Sequence, residues 1–182
     1  NDLILNASKI NNNIADYDLV RKMRASILVL GPLLARFKEA TISLPGGCAI
    51  GTRPIDIHLD SLSKLGVKFQ IENGYVRGVV KDELIGAIIN LPFPSVGATE
   101  NIIMAASLAE GITLINNVAK EPEIIDLINA LNAMGAKISF SGSDCIKIEG
   151  VKSLKEAEHT IMFDRIVAGT YILVGVMLNK KF

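Results

Sequence analysis

Cys48 stands in the run Ser43-Leu44-Pro45-Gly46-Gly47-Cys48-Ala49-Ile50-Gly51-Thr52-Arg53-Pro54-Ile55-Asp56-Ile57-His58, with glycine on both sides of it. Gly46, Gly47 and Gly51 let the backbone take positive φ, so a thiol at the tip can be presented and withdrawn. Pro54 suits the first position of a helix, where its missing N–H has no partner to lose. The amides of that first turn point back at the loop, where an anion sits favourably. With guanidiniums at Arg53 and, upstream, at Arg24, these residue types suit a thiol working on an anionic substrate. Two nearby guanidiniums favour the thiolate; a bound polyanion pushes the proton back onto sulfur. From residue types alone Cys48 is equally a buried structural cysteine. Arg24 is equally a surface residue of its helix.

The elements that must position these groups come from an internal repeat. Lys64-Leu65-Gly66-Val67-Lys68-Phe69 is matched by Ala133-Met134-Gly135-Ala136-Lys137-Ile138. Each is preceded by an acidic, apolar helix (54–65 and 122–134) and, before that, by a β-branched strand (41–44 and 112–115). Each is followed by a hairpin, 67–71 with 75–80 across Asn73-Gly74 and 137–140 with 145–149. Gly66 and Gly135 fall where helix ends need a left-handed residue. Opening helices are expected at 17–37 and 95–110, a third at 164–178, and linking strands at 84–91 and 160–163. The fold class expected is α/β, with repeated βαββαβ-type units. The opening helices are apolar nearly all round, which makes helices inside and sheets outside one possible arrangement. The expected division is two units, about 17–91 and 92–163, within a domain of residues 1–163. Residues 164–182 would open a third, incomplete unit, so a piece of a longer polypeptide is expected.

Composition narrows the class. The 182 residues are 49% hydrophobic, with 19 basic and 19 acidic side chains and zero net charge. That fits a globular α/β chain without the basic excess of a nucleic-acid binder. The two cysteines form no disulfide framework, which points to a reducing, cytoplasmic setting. The apolar runs 25–35 and 167–178 are too short to span a bilayer, so no membrane partner is expected. The two histidines, His58 and His159, stand apart, so neither a metal site nor a cofactor is implied.

The loop from Leu44 to His58 closely resembles that of the UDP-N-acetylglucosamine 1-carboxyvinyltransferases, the enolpyruvyl transferase family that opens bacterial peptidoglycan synthesis. The resemblance continues in order through Tyr17-Asp18-Leu19-Val20-Arg21-Lys22-Met23-Arg24-Ala25-Ser26, Ser95-Val96-Gly97-Ala98-Thr99, Glu121-Pro122-Glu123-Ile124 and Asp164-Arg165-Ile166. It implies an inside-out α/β barrel domain. It also implies transfer of enolpyruvate from phosphoenolpyruvate to the sugar 3′-hydroxyl. That hydroxyl attacks C2 while C3 is protonated, and phosphate then leaves. Cys48 becomes the proton donor at C3, able to form an adduct with phosphoenolpyruvate and the target of fosfomycin. The sister shikimate-pathway transferase lacks this cysteine loop, which disfavours a shikimate-phosphate substrate.

The same resemblance assigns substrate contacts to Arg24, Arg53, Pro54, Ile55, Asp56, Ile57, His58, Ser95, Val96 and Gly97. Each has a plainer alternative. Ile55 and Ile57 are equally packing residues, and Asp56 is equally a first-turn carboxylate favoured by the helix dipole. A lone helical histidine such as His58 is more often structural, and Ser95 is a good helix N-cap. Glu121, Glu123 and Asp164 receive structural pairing only, and Cys145 is read as inert. Many family members carry lysine at the position of Phe93, which cannot supply that charge. The family's Lys-Asn pair and its aspartate base have no counterpart here. The chain alone is therefore expected not to turn over, with a second domain as its partner and the full enzyme a monomer. The competing reading is a non-catalytic remnant that keeps a nucleotide-sugar-binding surface.

Overall fold

The computed structural model describes residues 9–10, 12–44 and 55–179. Two four-stranded sheets follow one plan. In the first, β1 (Ile14–Ala15) runs parallel to β2 (Glu39–Ser43), β2 is antiparallel to β4 (Tyr75–Val80), and β4 is antiparallel to β3 (Val67–Glu72). In the second, β5 (Ile88–Asn90), β6 (Ile112–Asn116), β8 (Cys145–Glu149) and β7 (Lys137–Phe140) repeat those pairings in that order. The repeat seen in the sequence is therefore a repeat of sheet topology. Asn73 and Gly74 both take positive φ, 51° and 79°. This is the backbone a two-residue β3–β4 turn requires. Alternation does the rest: Ile146 and Ile148 of β8 point into the core, while Lys147 and Glu149 face water.

Six α-helices and one 3-10 helix accompany the sheets among the described residues. They are α1 (Tyr17–Val20), a 3-10 helix (Arg24–Val29), α2 (Leu30–Phe37) and α3 (Asp56–Lys64), then α4 (Val96–Ala106), α5 (Pro122–Ala133) and α6 (Arg165–Leu178). Helix α4 is central: α2, α3 and α5 all pack on it. Its residues Ala98, Thr99, Asn101, Ile102, Ile103, Ala105 and Ala106 are buried, which covers nearly every face. Helices α2, α3, α4 and α5 thus form the inner layer expected, and α6 is the exception.

Several expectations are corrected. The order within each unit is βαβαββ and not βαββαβ, because the closing hairpin follows the second helix directly. The linking strand expected at 84–91 shrinks to β5 and an isolated bridge between Ile85 and Glu110. β5 pairs with β6, so it belongs to the second sheet. The continuous helix expected over 17–37 is broken at Arg21–Met23. A second break, where the 3-10 helix gives way to α2 at Leu30, suits Pro32: an unbroken helix would put it in the interior, whereas this break puts it in the first turn of α2, where an N–H has no helical partner. Helix α4 ends at Ala106, earlier than residue 110, where the Ser107 hydroxyl donates back to the Ile103 carbonyl at 2.8 Å. No strand forms at 160–163; Ile161 and Phe163 are exposed and no ladder lies beside them. Helix α6, apolar on all sides, is also exposed, with only Gly175 buried. Its start is firm, since Asp164 Oδ1 accepts from the amides of Ile166 and Val167 at 2.8 and 3.0 Å.

Candidate functional site

One cavity of about 660 Å³ opens where the 3-10 helix and the N-termini of α3 and α4 converge. Of the residues expected to contact substrate, Arg24, Asp56, Ile57, His58, Ser95, Val96 and Gly97 line it. Ile55, at the N-cap of α3, is buried beneath it and serves packing. Cys48, Arg53 and Pro54 lie outside the described residues. The lining also includes Ala25, Ile27, Leu28, Phe93, Pro94 and Glu100.

The two helix N-termini have separate local causes. Ser95 is extended, and its Oγ accepts from the Ala98 amide at 3.4 Å, a long cap bond. The carbonyl of Ser95 accepts from the Thr99 hydroxyl at 2.8 Å, and Thr99 Oγ1 in turn accepts from the Ala119 amide at 3.2 Å. Thr99 thereby fastens the start of α4 to the loop before α5. Helix α3 has no side-chain cap, and its first-turn acid is Asp56, which faces the cavity. The wall between the helices is glycine: a Cβ on Gly97 would come within 3.3 Å of His58 Cε1, tight enough to displace the ring.

The buried polar centre of the site is Asn101, which the sequence reading missed. Its Oδ1 accepts from the Gly31 amide at 2.6 Å, and its Nδ2 donates to the Ile27 carbonyl at 3.0 Å. In a continuous helix the Gly31 N–H would bond that same Ile27 carbonyl. The Asn101 amide is inserted into the break. Gly31 is required for this approach, since a Cβ there would fall on the Asn101 carbonyl and lie 2.5 Å from its Oδ1. The second Nδ2 hydrogen faces His58 Nδ1 at 3.1 Å. One signal was available in the sequence: an asparagine followed by Ile102, Ile103 and Met104 in an apolar helix is a buried polar group that needs partners.

His58 is only 6% exposed. Burial, and then the Arg24 guanidinium, push its pKa down from 6.5 to about 4, with Asp56 opposing. Its imidazole is therefore neutral at pH 7. Glu100, half-buried on the cavity rim, has its carboxyl pushed up by burial and by Glu123 and Glu121. Among the described residues the cavity thus holds one strong cation, Arg24, two helix N-termini and a neutral imidazole, a set suited to an anionic ligand with polar groups. Phe93, 55% exposed, adds an apolar face where a cation was expected in relatives. Elsewhere, Glu123 takes both ends of the Arg165 guanidinium at 3.0 and 2.8 Å, which holds its carboxyl low. Cys145 is half-buried in β8, away from the cavity. Among the described residues no group of acidic, histidine and cysteine side chains is placed to hold a metal. No helix among them is long and apolar enough to cross a membrane.

The sequence matches the family model of EPSP synthase (3-phosphoshikimate 1-carboxyvinyltransferase) over residues 1–182. Curated relatives include the UDP-N-acetylglucosamine 1-carboxyvinyltransferases of Granulibacter bethesdensis, 60% identical over 95% of the chain, and Pseudoalteromonas atlantica, 53% identical over 97%. The chain spans 41% and 42% of their lengths. The fold is shared with the enolpyruvyl transferase NikO from Streptomyces tendae: TM-score 0.80, 23% identity, 93% of this chain and 40% of that one. Fold, repeat and sequence agree that the chain belongs to the EPSP synthase family of carboxyvinyltransferases.

Proposed function

We propose that this chain is the cysteine-loop part of an enzyme that transfers enolpyruvate from phosphoenolpyruvate to the 3′-hydroxyl of UDP-N-acetylglucosamine, releasing phosphate. The observation that carries it is the convergence of Arg24, Asp56, Ile57, His58, Ser95, Val96 and Gly97 on one cavity between two helix N-termini. Identity of 53–60% to relatives that bear this activity in their names supports the same substrates.

In this reading the amides at the start of α4 receive the diphosphate, and Asp56 and Ile57 meet the nucleoside. Arg24 and Arg53 carry the anionic charge of the substrates. The sugar hydroxyl adds to C2 of phosphoenolpyruvate while Cys48 delivers a proton to C3. Loss of one proton from the C3 methyl group and departure of phosphate from C2 then restore the double bond. The residue that takes the hydroxyl proton, and further arginines, come from outside this chain. Helix α6 opens the next unit, the whole enzyme is a cytoplasmic monomer, and no cofactor takes part.

The test is phosphate release by the intact protein with phosphoenolpyruvate and UDP-N-acetylglucosamine, with the product identified by mass. Release that depends on both substrates and vanishes in Cys48→Ala supports the reading. Release with shikimate 3-phosphate in place of the sugar nucleotide overturns it.

A further inference from the structure

We propose that Asn101 is a positioning residue for the sugar nucleotide: its amide presents His58 to the cavity as an Nε2–H donor and fixes the bend that carries Arg24. The inference rests on the functional reading above for the identity of the ligand, but its structural half stands without it.

The orientation of the Asn101 amide follows from its backbone partners. The Gly31 N–H is only a donor, so the group 2.6 Å from it is the amide oxygen. The Ile27 carbonyl is only an acceptor, so the group 3.0 Å from it is the NH2. Both ends agree, and that leaves the second NH2 hydrogen aimed at His58 Nδ1, 3.1 Å away. Nδ1 must then be the bare, accepting nitrogen, and the ring proton sits on Nε2. A proton on Nδ1 would set donor against donor in a buried place, which costs the full desolvation of both groups. The Cε1–Nε2 edge faces Gly97 at the start of α4, where a Cβ would lie 3.6 Å from Nε2. The ring therefore offers its N–H beside the helix amides, toward the same ligand.

The same amide acts on Arg24. The 3-10 helix Arg24–Val29 ends against α2, and Asn101 fills the gap between Ile27 and Gly31 that a regular turn would have closed. One side chain on α4 thus sets both the ring on α3 and the path of the segment bearing the cation. Among the described residues, the charged groups facing the ring are Arg24 from the 3-10 helix and Asp56 from α3, while Glu100 shares the cavity from α4. A neutral donor binds a sugar or nucleoside oxygen without adding charge beside Arg24.

The experiment is nitrogen-15 NMR of the intact protein with labelled histidine. At neutral pH, His58 is expected to show a bare Nδ1 and a protonated Nε2. UDP-N-acetylglucosamine is then expected to move the Nε2–H signal and leave Nδ1 bare. Asn101→Ser, too short to bridge these groups, is expected to mix the tautomers. It should raise KM for the sugar nucleotide about three- to ten-fold, the worth of one hydrogen bond, with kcat within about two-fold. A protonated Nδ1 in the unsubstituted protein overturns the proposal. So does an Nε2–H signal that the bound sugar nucleotide leaves unmoved, a result open to us even if Asn101→Ser does not fold. An unchanged KM with mixed tautomers overturns the positioning role. If the tautomer is as stated but the sugar nucleotide does not bind at all, the functional reading fails and the ligand half of the proposal fails with it, while the amide–imidazole geometry stands.

Discussion

Acidification should destabilise this protein through His58, and the effect can be isolated. An unfolded histidine takes its proton near pH 6.5, whereas His58 in the fold does not until about 4. Between those values the unfolded chain binds more protons, so stability rises with pH there and is lost as pH falls. The separation is worth about 3 kcal/mol, a large share of the net stability of a domain. The imidazole is buried beside Arg24 and against the donating face of Asn101, so the charged form gains nothing from its closest partner. The assay is urea unfolding of the protein and of His58→Gln from neutrality down to about pH 4. Carboxylates titrate alike in both and cancel in the difference. The unsubstituted protein should lose up to about 3 kcal/mol relative to the variant over that window, with no further change above about pH 7. A difference that stays flat with pH refutes the reasoning, because it means the ring titrates as it does in water.

Other outcomes follow from the same geometry. Gly31→Ala drives a Cβ into the Asn101 carbonyl and should cost about 2–4 kcal/mol in denaturant unfolding, well above an ordinary helix substitution. Ser95→Ala removes a long cap bond and should cost only about 0.5–1 kcal/mol by the same measurement, with a larger effect on sugar-nucleotide KM than on stability if the hydroxyl also touches ligand. Phe93→Lys places a cation at the mouth of the cavity beside the α4 N-terminus. It should tighten sugar-nucleotide binding several-fold at low salt, and titration calorimetry should show the gain fading as salt rises.

Much of the fold was legible because it is repeated and locally encoded. The matched glycines at 66 and 135 and the Asn73-Gly74 turn marked both hairpins, and each hairpin fixed the helix before it. Failures came where a tertiary contact overrode the local pattern. The apolar run from Ala25 to Ala35 has helical spacing throughout, yet it changes from 3-10 to α helix within the run, at Leu30, where Pro32 and the inserted Asn101 amide favour a break. Ile161 and Phe163 alternate like a strand but find no edge to pair with. The site divides in the same way. The start of α3, expected at Pro54 and found at Asp56, and the Ser95 cap of α4 could be read from residue types to within two residues, and the resemblance supplied their ligand roles. Asn101 could not be placed, since its partners Ile27, Gly31 and His58 lie 74, 70 and 43 positions away. The neutral state of His58 was equally hidden, because it depends on burial that only the packed α3 and α4 create.

The central claim is that a sugar nucleotide bound in this cavity works with the thiol of Cys48. The most direct measurement is the intact mass of the protein after fosfomycin treatment, with and without UDP-N-acetylglucosamine, followed by peptide mapping. The account predicts a single adduct on Cys48 that forms faster with the sugar nucleotide present. Absence of an adduct under both conditions, or an adduct on Cys145 alone, would contradict it.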